Sequence, residues 1–172
     1  MPFATDDNIQ KFIDPLNSAM DKFQINTTRR QAAFLAQLAH ESGSLKYVEE
    51  IASGEAYEGR EDLGNIHPGD GKRYKGRGLI QITGRSNYFQ VGRALDYDFV
   101  AHPEKLELPG AAAMSAGWFW FERGLNKYAD IDSFLKISIK INGVNKKTGL
   151  PNGWEDRQEH WKRCKAALKV VE

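Results

Sequence analysis

Only one cysteine, Cys164, occurs in the chain, so no intrachain disulfide can form. The fold must stand on its apolar core, as proteins of reducing compartments do. An excess of either charge is missing as well: 24 Lys and Arg against 23 Asp and Glu leave a net charge of +1. A dedicated nucleic-acid binder is usually strongly basic, so no nucleic-acid partner is expected. No apolar run approaches the roughly 18 residues that a membrane span requires. The opening stretch MPFATDDNIQ has neither a basic region nor an apolar one, and no secretory signal is expected. Repeats, low-complexity segments and linkers are absent too. A chain of 172 residues then reads as one domain, 1–172, long enough to bury about two-thirds of its unfolded surface.

What is present centres on residues 32–50, AAFLAQLAHESGSLKYVEE. Ala32, Ala33, Phe34, Leu35, Ala36, Leu38 and Ala39 are apolar on nearly every face, the pattern of a helix inside a protein rather than on its surface. Thr27 or Thr28 caps this helix, which runs to about Glu41 and stops at Gly43. Before it, Thr5-Asp6-Asp7 caps a first helix with Ile9, Phe12, Ile13 and Leu16 at helical spacing, which Pro15 is expected to kink or shorten.

Residues 43–78 differ in kind. Eight glycines, Pro68 and many charges leave little to form a core, and long irregular segments in compact domains tend to be functional. Short strands or a hairpin are expected near Lys46–Ile51 and Leu79–Ile82. Further helices are expected over Thr83–Ala94, from Pro109 to Arg123, from Asp130 or Asp132 to Asn142-Gly143, and from about Gly153 to Val170. Tyr88, Phe89, Val91 and Leu95 form the apolar side of the first of these, and Phe134, Leu135, Ile137, Ile139 and Ile141 that of the third. The fold class is mainly α (α+β), with a small β element in the glycine-rich middle.

Chemistry is most legible in the carboxylates. Glu41 ends an apolar helix, and desolvation favours the protonated form of a carboxyl group, the form a general acid needs. The bland alternative is a helix-end acid paired to an arginine, the common fate of an acid. Glu49, Glu50 and Glu55 are all candidates for a second carboxylate, each a solvated loop acid by default. Two carboxylates with a water between them can cut a glycosidic bond with inversion. Glu41 and Glu50 are nine positions apart and share no helix face, so the chain must turn back at Gly43 for them to converge. In Tyr74-Lys75-Gly76-Arg77-Gly78 no Gly-Lys-Ser/Thr ending follows, which excludes a phosphate loop. Glycine there suits backbone packed against a ligand. Gln81 and Thr83 alternate along an extended segment and point to one side. His40, His67, His102 and His160 make no paired spacing, so no metal site is expected. Trp118-Phe119-Trp120 reads as core, and the basic last helix as a solvated face that also suits an anionic envelope.

Four segments together resemble glycoside hydrolase family 19, the chitinase and lysozyme-like enzymes, and especially the single-domain endolysins of phages that infect Gram-negative hosts. They are AAFLAQLAHESG (32–43), YKGRGLIQITGRSNY (74–88), SAGWFW (115–120) and ING (141–143), followed by Arg157. Many members carry another glycine after 43, where Ser44 stands here. The resemblance implies a lysozyme-like fold with a small β-sheet or hairpin beside the active-site cleft. It implies a single catalytic domain without a separate wall-binding one, and inverting hydrolysis without a cofactor. It implies Glu41 as acid, Glu50 as the best-matched base and Thr83 as the residue that orients water. His40, Tyr74, Gln81, Asn87, Asn142 and Arg157 are then the residues that line the cleft or support the acid. The expected substrate is the β-1,4 bond between N-acetylmuramic acid and N-acetylglucosamine in peptidoglycan, with chitin as the alternative. A monomer is expected, held in the host cytoplasm until a membrane pore releases it to the periplasm. A zinc amidase lacks its ligand set here, and a silent sugar-binding protein has no need of these carboxylates.

Overall fold

The computed structural model describes residues 1–171. Among them, α1 (Asp6–Lys22), α2 (Thr28–Glu41), α3 (Asp70–Arg73), α4 (Arg85–Leu95), α5 (Pro109–Glu122), α6 (Asn126–Asp130), α7 (Phe134–Asn142) and α8 (Trp154–Ala167) are joined by irregular chain with three short 3-10 turns. The first two helices begin where the caps foretell. Thr5 Oγ1 accepts from the Asn8 N–H at 3.2 Å, and Thr27 Oγ1 accepts from the Arg30 N–H at 3.3 Å. Helix α1 runs through Pro15 without ending there, contrary to the expected shortening. Its buried side is Phe12, Leu16, Ala19 and Met20, which pack on α5, while Ile9 and Ile13 face outward. Burial of that face outweighs the one hydrogen bond that the proline removes.

Helix α2 lies at the centre. Ala32, Phe34, Ala36, Gln37 and Leu38 have no exposed surface, and the helix packs against α8 on one side and α6 on another. Phe34 meets Trp120 of α5 edge to face, with ring centroids 5.3 Å apart, so the tryptophan expected in the core is there. Two apolar positions expected inward turn out: Phe89 of α4 is exposed, and so is Leu135 of α7 beside buried Phe134 and Ile137. Each is a single position at the edge of its helix's buried stripe.

The expected β-sheet or hairpin is not formed as a sheet. Backbone pairing among the described residues comes down to two isolated antiparallel bridges, Glu49 with Arg77 and Arg77 with Ile82. The physical cause is left-handed backbone on both sides. Gly43, Ser44 and Leu45 follow one another at φ +56°, +60° and +68°, and Gly78 and Gln81 stand at +80° and +59°. Only two residues separate Gly78 from Gln81, too few for a strand between them. The three consecutive residues after α2 do what was asked of Gly43: they reverse the chain, so that residues 48–50 return beside 76–78. The Gly78 N–H then donates to the Val48 carbonyl, and the Glu50 N–H to the Gly76 carbonyl, both at 2.8 Å.

Ser44 is buried in that left-handed turn, a conformation that costs a residue bearing a Cβ about 1–2 kcal/mol. Ser44→Gly removes that strain at a smaller cost in chain entropy. The variant should therefore be more stable by roughly 0.5–1 kcal/mol in urea unfolding. A loss of stability would contradict a strained turn at this position.

Candidate active site

The residues singled out by sequence fall into two clusters, with Tyr74 in neither. The first forms where α2 ends against α8. Arg157, in the first turns of α8, is 1% exposed. Its Nη2 stands 2.6 Å from Glu41 Oε1, its Nη1 donates to Gln37 Oε1 at 2.5 Å, and its Nε donates to the Asn152 carbonyl at 2.9 Å. Gln37 in turn donates to Ser138 Oγ at 2.7 Å, and Ser138 donates to the Phe134 carbonyl, so α7 joins the network. Asn142, at the end of α7, accepts from the Asn152 N–H at 2.9 Å and fixes the loop whose carbonyl Arg157 uses. Glu41 is therefore paired to an arginine, as the bland reading of a helix-end acid expected, and the contact is one of charge: its Oε1 is buried and makes no hydrogen bond among the described residues. His40 precedes Glu41 in the same turn and reaches Asp156 of α8.

The second cluster surrounds Glu50, and here the three candidate carboxylates separate. Glu55 is exposed and pairs with Lys72, whose hydrogen bond holds its carboxyl below the usual range. Glu49 lies 3.0 Å from Lys75 Nζ and 3.5 Å from Arg77 Nη2, so two cations neutralise it. Among the described residues, neither carboxylate oxygen of Glu50 pairs with a cation. Oε1 accepts from the Tyr57 hydroxyl at 2.9 Å and Oε2 from the Gly76 N–H at 3.0 Å. Burial, and then the bond to Glu50, push the Tyr57 phenol above its ordinary value, so it keeps the proton it donates. Gly76 is required for space: a Cβ there would lie 2.7 Å from Gln81 Oε1 and 3.2 Å from Glu50 Oε2. Glu50 and Gln81 thus converge on the face of one glycine.

Gln81 and Thr83 are not alternating strand residues, because Gln81 is left-handed and its amide donates back to the Gly78 carbonyl at 3.0 Å. Thr83 Oγ1 donates to the Gln81 carbonyl at 3.0 Å, which leaves the oxygen free to accept. Asn87 Nδ2 donates to the Thr83 carbonyl at 2.7 Å and ties this segment to α4. Tyr74, expected in the cleft, is instead 1% exposed. Its ring packs edge-on against Tyr88 and its hydroxyl donates to the Val100 carbonyl at 3.0 Å. Arg77 is likewise a scaffold group, bonded to Glu107, the Arg73 carbonyl and the Tyr88 hydroxyl.

Sequence reasoning passed over Gln37, Tyr57 and Asp156. Gln37 had a signal, since it is the polar residue four before Glu41 on an otherwise apolar helix and so shares its face. Tyr57 stands in an irregular loop, where spacing says nothing about direction. A hollow of about 440 Å³, lined by Asn145, Thr148 and residues 150–156, adjoins the first cluster. The more apolar hollow of about 620 Å³, walled by Leu95, Tyr97, Phe99, Leu108 and Met114, includes no residue of either cluster.

Removing one partner from a buried charge network strands the other. Arg157→Met should therefore cost about 3–5 kcal/mol in urea unfolding. Arg157→Lys should recover only part of it, because an ammonium cannot serve three separated acceptors in one plane. A neutral Arg157→Met would show that Glu41 and Gln37 are satisfied without it.

Comparison with known proteins bears on both clusters. The family model described as class I chitinase matches residues 16–135. An endochitinase of Arabidopsis thaliana is 36% identical over 134 residues, covering 77% of this chain and 46% of its own length. The chain thus spans about half the length of this plant relative. A glycosyl hydrolase family 19 domain-containing protein of Haemophilus influenzae is 29% identical over 177 residues, covering 83% of this chain and 82% of its own. Among solved structures, chitinase C of Streptomyces griseus superposes with a TM-score of 0.77 at 24% identity, over 95% of this chain and 75% of that one. The family 16–135 match contains Glu41, Glu50 and Thr83 within one continuous span, and on that ground the chain belongs to glycoside hydrolase family 19.

Proposed function

We propose that the chain is a peptidoglycan-degrading endolysin that hydrolyses the β-1,4 bond between N-acetylmuramic acid and N-acetylglucosamine with inversion, by two carboxylates and no cofactor. The observation that carries this reading is the different state of the carboxylates. Of the three candidates for the second carboxylate, Glu49 and Glu55 pair with lysine or arginine, whereas the carboxylate group of Glu50 accepts from a phenol and a backbone N–H. A carboxylate oriented by neutral donors keeps its charge available to take a proton.

In this mechanism Glu41 gives its proton to the glycosidic oxygen as that bond breaks. A water on the opposite face of the sugar attacks the anomeric carbon and loses a proton to Glu50. Thr83 Oγ1, whose own hydrogen is engaged by the Gln81 carbonyl, accepts the water's second hydrogen and aims its lone pair. The products are a free hydroxyl on the leaving sugar and a new reducing end of inverted configuration, and the second carboxyl has gained the proton that the first has lost. Gln81, Asn87 and Asn142 position this machinery from behind, and His40 holds the end of α2. In the endolysin role the protein waits in the host cytoplasm and reaches the wall through a membrane pore. Among the described residues no helix is long and apolar enough to cross a membrane.

Chitin is the second reading, and the relatives named endochitinases favour it. Digesting purified Gram-negative peptidoglycan and chitin oligomers side by side distinguishes the two. N-acetylmuramic acid at the new reducing ends supports the muramidase, whereas cleavage of chitin alone moves the assignment to a chitinase. Glu41→Gln should abolish hydrolysis with the fold intact, and Thr83→Ala should lower kcat by about 10²-fold or more. Full activity in Glu41→Gln would refute the mechanism, and an unchanged rate in Thr83→Ala would assign that residue to structure.

The outer face of α8 adds a role in targeting. Trp161, Lys162, Lys165 and Lys169 line one shallow groove there. If that face meets an anionic envelope, added salt should slow lysis of cells more than hydrolysis of neutral oligosaccharides. Equal salt sensitivity would remove the targeting role from α8.

A further inference from the structure

Beside the Glu41–Arg157 pair, a second contact joins the same two helices. His40 Nδ1 lies 2.6 Å from Asp156 Oδ2, and His160 Nε2, one turn further along α8, lies 3.5 Å from the same oxygen. The contacts run in step, 40 with 156 and 41 with 157. The His40 ring is seated against Gly153, where a Cβ would come within 2.1 Å of its Cε1. The imidazole is therefore confined between the backbone before α8 and a carboxylate in its first turn. Glu41 leaves the backbone one residue after His40, so what confines that ring also confines the origin of the Glu41 side chain.

Stability does not account for this arrangement. The Asp156 side chain is 58% exposed, and an ion pair so open to water contributes little to folding. The charged groups about the pair are Asp156, Arg157 and Arg163 from α8, Glu41 from α2, and the N-terminal amine of Met1, which acts on His160. Burial, only partly opposed by Asp156, holds His160 below the usual imidazole range, so at neutral pH it backs Asp156 as an uncharged ring rather than as a second cation.

We propose that Asp156 is a positioning residue for Glu41. Its carboxylate, backed by His160, holds the His40 ring on Gly153 and keeps the end of α2 aligned with Arg157. The proposal rests on Glu41 being the general acid; Asp156 itself takes no proton from the substrate and touches no reacting atom.

The test uses the purified full chain, with Glu41→Gln as the inactive control. Misplacing an acid by a fraction of an ångström is costly, so Asp156→Ala should lower kcat about tenfold to a hundredfold, with KM changed by less than about threefold. Its thermal midpoint should stay close to that of the parent, because so exposed an acid adds little to stability. Asp156→Asn retains an acceptor for the His40 N–H and should recover part of the lost kcat. In a double-mutant cycle, His40→Ala with Asp156→Ala should cost no more than the worse single change, as expected of groups that act as one unit. A parental kcat in Asp156→Ala, beside a dead Glu41→Gln, would overturn the proposal alone. A fall in kcat matched by collapse of the thermal midpoint, or strictly multiplicative losses in the cycle, would also overturn it. Full activity in Glu41→Gln would overturn the reading of Glu41 and the proposal together.

Discussion

A guanidinium with almost no contact with water must find polar or anionic partners for its donors, and Arg157 finds them on two parts of the chain. It draws on Glu41 and Gln37 from α2 and on the carbonyl of Asn152 from the loop before α8. Through Gln37 it also reaches Ser138 of α7. Burying such a charge is costly unless every contact is made. That requirement fixes the rotation of α8 about its axis and its height along α2. The rest of α2 is constrained in a different way, by packing alone, because alanine at four of its positions brings neighbouring backbones close and leaves no room to slide.

The second constraint is conformational. Three left-handed residues in succession, 43–45, turn the chain back beneath α2 and set residues 48–50 against 76–78. A regular sheet is not needed for this proximity, because the Glu50 N–H donates to the Gly76 carbonyl and the Glu50 carbonyl accepts from Lys75 Nζ. Here the ladder is two bridges long, and the glycine at 76 leaves a gap that Glu50 and Gln81 share. The surrounding loop is closed by its own polar contacts. Glu58 accepts from the N–H groups of Gly69 and Gly71, buried Asn65 bridges the Tyr57 carbonyl and the Arg85 N–H, and Asp70 pairs with Arg85. This clasp fixes Tyr57 where its hydroxyl reaches Glu50. A segment with little apolar core is thereby made rigid enough to hold a carboxylate at a set angle.

These two kinds of constraint explain what could be read in advance. The helices announce themselves because periodicity and caps are local: Thr5, Thr27 and Pro109 begin their helices within a residue or so of the expected place, and α2 ends at Glu41 as its composition requires. The place of Glu41 was legible because a carboxylate at the end of an apolar helix is conspicuous. The partners of Glu50 were not legible, because Tyr57 and Gly76 are brought to it by left-handed turns and loop contacts that leave no period in the sequence. The strand expectation failed at Gln81 for the same reason: alternation assumes extended backbone, and φ at that residue is positive. Tyr74 was misplaced because a tyrosine in a glycine-rich motif looks exposed, whereas its hydroxyl has a carbonyl partner inside the protein at Val100.

In the proposed mechanism Glu41 and Glu50 act from opposite faces of the sugar, one as acid and the other as base on a water. The most direct test is the anomeric configuration of the reducing end at the moment it forms. It can be followed by proton NMR during the first minutes of hydrolysis of a soluble β-1,4-linked amino-sugar oligomer, before mutarotation mixes the forms. The α-anomer should accumulate first, because one displacement inverts the β-linkage. Initial accumulation of the β-anomer would mean two displacements through a covalent or neighbouring-group intermediate, and would contradict the assignment of Glu50 as a base acting on water.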